Sequence, residues 1–161
     1  MIDTRPCSCS GKRLSGAVTE SVSRRYEIWL ERLLDQDRSE EVGEFLQRVA
    51  NDQLYLTDFT LHSIGIILLK LEEAQTFSRF VQDVLVDGGV RLVGLQPDDV
   101  TSIVDAAGKY GLDFDDAYQY AASAKFNFQI VSFDSDFDRT DRGKAVPGQV
   151  DTDESSEMPR E

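Results

Sequence analysis

Residues 111–138 read GLDFDDAYQYAASAKFNFQIVSFDSDFD. Gly111 closes a preceding helix, Phe114 to Phe126 form the next one, and Gln129 to Phe133 (QIVSF) form a strand. Asp115 and Asp116 fall in the first turn of that helix, while Asp134, Asp136 and Asp138 follow the strand. A helix that delivers an apolar strand, with carboxylates at the start of one and the end of the other, is the unit from which the rest of the chain is read.

Working back toward the N-terminus, the same alternation continues. Val90 to Leu95 (VRLVGL) reads as a strand, and Pro97 opens a helix that runs to Tyr110. Leu54 to Thr57 (LYLT) is a short β-prone run, followed by an apolar helix from Thr60 to Leu71 and another from Glu73 to Val86, which ends at Gly88-Gly89. Tyr26 to Leu34 places Ile28, Trp29, Leu33 and Leu34 on one helical stripe. Ser39, read as an N-cap, opens a helix to Ala50 with Val42, Phe45, Leu46 and Val49 at helical spacing. Strands separated by helices of this length predict an α/β fold with a parallel sheet covered on both faces, and ligands at the carboxyl ends of the strands.

Length and charge limit the alternatives. A chain of 161 residues, 40% hydrophobic, is enough for one domain. Its 17 Lys and Arg against 30 Asp and Glu give −13, which excludes non-specific basic clamping of nucleic acid. Residues 1–25 hold five basic and two acidic residues, so the remainder carries −16. That first stretch shows no helical or strand period and reads as a leader; residues 139–161 read as an acidic tail, leaving 26–138 as the domain. The longest apolar run, Ile64 to Leu69, stops at Lys70, and the leader has no apolar signal core, so a cytoplasmic location without a membrane span is expected. Cys7 and Cys9, one residue apart, read as bystander thiols and not as half of a zinc site.

The carboxyl-edge rule selects Asp58 after LYLT, Asp115 and Asp116 at the helix start, and Asp134, Asp136 and Asp138 after QIVSF. Carboxylates converging at one sheet edge suit a hard divalent cation, which can activate water and neutralise a phosphodiester. The bland reading is that helix-start acids serve the helix dipole and loop acids cap turns.

From Tyr26 to about Thr140 the chain resembles the PIN-domain family, in particular the VapC-like toxins of prokaryotic toxin–antitoxin pairs. The likeness is carried by Tyr110-Gly111-Leu112, by Phe114-Asp115-Asp116-Ala117, and by Val131-Ser132-Phe133-Asp134-Ser135-Asp136-Phe137. It implies a three-layer α/β/α sandwich, an endoribonuclease dependent on Mg²⁺ or Mn²⁺, an RNA substrate, an antitoxin partner and a homodimer. Carried over by residue, Asp116 and Asp134 match the family's acids and would hold the metal, with Asp136 in support and Asp115 as a helix-start charge.

Two departures stand out. In the register set by Glu27-Ile28-Trp29, Arg25 stands where the family's first Asp belongs, and SGAVTESVS upstream is a poor central strand, so that strand is expected to be missing or replaced. Met1-Ile2-Asp3-Thr4 echoes the absent motif too early in the chain. In the helix after LYLT, His62 and Ser63 fill the turn that usually carries a Glu. Asp58, one turn earlier, is either a substitute ligand or the N-cap of that helix; His62 is either a ligand or base, or a partly buried residue satisfied by backbone. Two hypotheses follow: a PIN-type nuclease toxin, and a PIN-fold binding module that has lost its first metal ligand. An acidic receiver-like protein is a weaker third, because no Lys ends QIVSF or VRLVGL.

Overall fold

The computed structural model describes the backbone of residues 20–22 and residues 27–149. Among the described residues four strands form one sheet: β1 (Glu20–Val22), β2 (Leu54–Thr57), β3 (Arg91–Val93) and β4 (Gln129–Val131), in the order β3-β2-β1-β4. All pairings are parallel, with Glu20 opposite Leu54 and Gln129, Val22 opposite Val131, and Thr57 opposite Val93. The expectation of a missing first strand is thereby corrected. Glu20-Ser21-Val22 occupies the interior of the sheet, because parallel pairing recruits backbone N–H and C=O groups that any non-proline residue supplies. The leader assigned to 1–25 therefore contains a sheet strand.

Six α-helices among the described residues connect and cover the strands: α1 (Glu27–Leu33), α2 (Ser39–Arg48), α3 (Asp58–Lys70), α4 (Ala74–Phe80), α5 (Val100–Tyr110) and α6 (Phe114–Phe126). α4 continues as a π-helical turn, Val81–Val86. Gly111 ends α5 in the left-handed region at φ 64°, which glycine adopts without steric cost. The N-cap assigned to Ser39 is not found: Arg38 holds that position, and Ser39 is buried, its Oγ accepting from Arg32 Nη1 at 3.3 Å.

Packing on the two sheet faces makes the three layers. Leu54 and Leu56 alternate onto one face and join Ile28, Trp29, Val42, Phe45, Ile64 and Leu68 in the larger core. Trp29 meets Phe80 edge-on at 5.1 Å within it. Thr57 points to the opposite face, toward α6, where a second core gathers Ile103, Ala106, Leu112, Ala117, Tyr118 and Ala121.

The tail expected from residue 139 also requires correction. Ala145 pairs in parallel with Val131: its N–H donates to Ile130 O at 2.8 Å, and its carbonyl accepts from Ser132 N at 3.0 Å. A 3₁₀ turn, Pro147–Gln149, then packs on α2, and Arg48 Nη2 donates to Pro147 O at 2.9 Å. This segment has few large apolar groups, but it satisfies the outer backbone of β4 and so covers a sheet edge. No helix among the described residues is long and apolar enough to cross a membrane.

Candidate metal centre at the carboxyl edge

α6 starts at the carboxyl edge because Asp113, in extended conformation, caps it: its Oδ1 accepts from Asp116 N at 3.0 Å. Asp113 was not singled out by sequence reasoning, although an Asp three residues ahead of another acid at a helix start is an N-cap signature. The cap turns Asp116 inward, where it is 1% exposed, and leaves Asp115 half-buried. One turn further along the same face, Gln119 Nε2 donates to Thr57 Oγ1 at 3.0 Å and to Thr60 Oγ1 at 2.9 Å. Thr57 is the last residue of β2 and the N-cap of α3, accepting from Thr60 N at 3.1 Å. These buried bonds fasten the start of α6 over the end of β2.

Asp58 is the first residue of α3 and not its cap. Its Oδ1 accepts from Phe59 N at 2.7 Å and from the Tyr118 hydroxyl at 2.7 Å. The same hydroxyl accepts from Leu95 N at 2.8 Å. On its other side the carboxylate is flush with the backbone after β3: a Cβ built on Gly94 would lie 2.5 Å from Asp58 Oδ2. Burial pushes the Tyr118 phenol up to about 12, and the adjacent Asp58 adds to the rise against the opposing Leu95 bond. Asp58 is thus built into a clamp between α3, α6 and the end of β3.

Asp134 lies beyond β4 and is half-buried. Its N–H donates to Ser132 Oγ at 3.0 Å, and its Oδ1 accepts from Asp136 N at 2.8 Å, which caps the 3₁₀ turn Ser135–Arg139. Phe137, fully buried, anchors that turn. Asp136 Oδ1 pairs with Arg139 Nη2 at 3.1 Å, and Asp138 is exposed. His62 is exposed on α3, so the partly buried, backbone-satisfied imidazole expected as one reading is not found. Arg25 lies outside the described residues.

Asp116 and Asp134 therefore stand at the carboxyl edge, Asp58 is engaged beside Tyr118, and Asp136 turns to Arg139. Among the described residues no group of three or more His, Cys, Asp or Glu side chains could hold a metal ion. The donors are carboxylate oxygens, which match Mg²⁺ or Mn²⁺ in chemistry; one or two carboxylates suffice for Mg²⁺ when water and a substrate phosphate complete the shell. The fit is to a loosely held ion and not to a closed cage.

Residues 27–143 match the family model described as PIN domain. No curated protein matches the chain. Among solved structures, one described as a toxin-antitoxin complex from Klebsiella pneumoniae is similar at a TM-score of 0.61 and 16% identity, over 76% of this chain and 94% of that one. At that identity the likeness is one of fold, whereas the family match spans most of the domain: the chain belongs to the PIN domain family.

Proposed function

We propose that this protein is a PIN-type endoribonuclease of a toxin–antitoxin pair, working with a short set of metal ligands. The observation that carries the reading is the buried Asp116 carboxylate, held over the sheet's carboxyl edge by the Asp113 cap and the Gln119–Thr57 bonds, on the side where Asp134 follows β4. Asp116 and Asp134 would hold Mg²⁺ or Mn²⁺, with Asp136 reaching it through water. When bound, such an ion supplies an acidified water and neutralises charge on a phosphodiester. The chain's own contribution is to fix the two carboxylates, Asp116 through the Asp113 cap and the bonds of α6 to the end of β2, and Asp134 in the turn after β4.

Asp58 is assigned the clamp and not a ligand role, because one oxygen serves two donors and the other abuts Gly94. Asp115 serves as a helix-start charge. The proposed partner is an antitoxin protein, a reading supported by the toxin-antitoxin complex of similar fold; a homodimer in the cytoplasm is part of the same proposal. RNA cleavage in Mg²⁺ or Mn²⁺, abolished by EDTA and by Asp116→Asn, tests the reading; cleavage that survives the substitution refutes the assigned site.

A second reading has an observation of its own. The described donor set is short of three ligands, and arginine occupies the sequence position of the family's first Asp. A chain that binds its antitoxin but cleaves no RNA at any Mn²⁺ concentration would be a binding module on the same fold.

A further inference from the structure

Beside Asp134 the surface carries a stacked cation. Arg38, the N-cap residue of α2, places its guanidinium carbon 3.5 Å from the centroid of the Phe133 ring. Two planar groups come that close only by lying nearly face to face. Glu41 fixes the edge of the guanidinium, accepting from Nε at 2.9 Å and from Nη2 at 3.3 Å. With its guanidinium over Phe133 and an edge on Glu41, the side chain is still 44% exposed. Phe133 is the residue between Ser132 and Asp134, and its carbonyl accepts from Lys144 Nζ at 3.2 Å. Two cations thus bracket the backbone immediately before a candidate metal ligand.

We propose that Arg38 on Phe133 is a stacking platform for one nucleobase of single-stranded RNA, with Lys144 meeting a neighbouring phosphate. The inference rests on the RNA-cleaving reading above and adds how substrate is held. Bases stack on aromatic rings and on guanidinium planes, and every base offers a π-face. Here the plane is already seated on its ring and tied to Glu41, so little side-chain freedom is lost when a base arrives. In a chain of net charge −13, long-range attraction for phosphates is weak, and stacking is a contact that does not depend on it. A base held one residue from Asp134 would set which phosphodiester reaches the carboxylates.

The test titrates the full chain, in EDTA, with a short fluorescent single-stranded RNA and with the same backbone made abasic, following anisotropy. Wild type is expected to prefer the intact RNA. Arg38→Lys keeps the charge and removes the plane, so it should weaken the intact RNA at least about five-fold while changing the abasic strand little. Phe133→Leu should do the same and Phe133→Tyr should restore the preference, with thermal midpoints confirming that each variant folds. Equal loss for both strands, or no wild-type preference for bases, overturns the platform and leaves the stack as a link between α2 and the loop after β4. Because the titration contains no divalent ion, it is independent of catalysis. Base-dependent binding without cleavage sinks the nuclease reading alone, and cleavage without base preference sinks the platform alone.

Discussion

The two sides of the sheet's carboxyl edge use aspartate in opposite ways. Under β2 and β3, Asp58 is fitted against Gly94 and hydrogen-bonded by Tyr118 and Phe59, and the phenol is in turn held by Leu95. Beyond β4, Asp134 caps an open turn, is half-buried, and is followed by an Asp136 that faces an exposed arginine. Asp116 stands apart from both in being buried at a helix start. The same residue type after a strand is thus a structural clamp on one side and a candidate ligand on the other. What separates them is where the donor comes from: Asp58 Oδ1 takes the Tyr118 phenol from α6 as well as a backbone N–H, whereas Asp134 Oδ1 takes the backbone N–H of Asp136 in its own turn.

The sharpest way to break this contrast is to neutralise each carboxylate in turn and follow RNA cleavage. Asp116→Asn should lower it at least about a hundred-fold, whereas Asp58→Asn should leave it within about three-fold in folded protein. Equal losses would put Asp58 among the ligands. Gly94→Ala tests the clamp from the other side: a methyl 2.5 Å from Asp58 Oδ2 must displace the carboxylate or the strand end. It should cost roughly 1–3 kcal/mol in denaturant unfolding. An unchanged midpoint would mean that the carboxylate is not held against β3.

Tyr118→Phe is a milder probe of the same contact. It removes a hydroxyl that bonds both Asp58 and Leu95, and should destabilise by about 1–2 kcal/mol with cleavage retained. The same variant has a pH signature. The phenol's pKa in the folded chain is raised from 10.0 to about 12, so the folded state keeps a proton that the unfolded chain gives up. That contribution is complete below pH 10.0 and lost as pH rises through about 12. The phenylalanine variant should therefore show a shallower decline of stability across this alkaline window, measured by unfolding at stepped pH; parallel declines would remove Tyr118 as the cause.

Much of this fold was legible in the residues. α6 was expected at Phe114–Phe126 and lies there, β2 was expected at Leu54–Thr57, and Gly111 ends α5 as its freedom at positive φ requires. Elements missed were those held by backbone and not by side-chain pattern. Glu20-Ser21-Val22 has no apolar run, yet it pairs on both sides; Ala145 joins β4 through two backbone bonds that no periodicity announces. At the candidate site, the place of the acids at element ends could be read, but the hydrogen bonds around Asp58 and Asp116 could not. These rest on Tyr118, 60 residues from Asp58, and on Gln119, 62 residues from Thr57, pairings that the packing of α6 across the sheet creates.

The resemblance in sequence puts Arg25 where the family's first Asp belongs. If the proposed nuclease is limited by a carboxylate absent at position 25, the most direct measurement is Mn²⁺-titrated RNA cleavage by wild type, Arg25→Asp and Arg25→Asp combined with Asp116→Asn. The single substitution should raise cleavage about ten-fold or more and lower the Mn²⁺ concentration required, with the gain abolished in the double variant. No gain at any Mn²⁺ concentration, or a gain that persists without the Asp116 carboxylate, would contradict it.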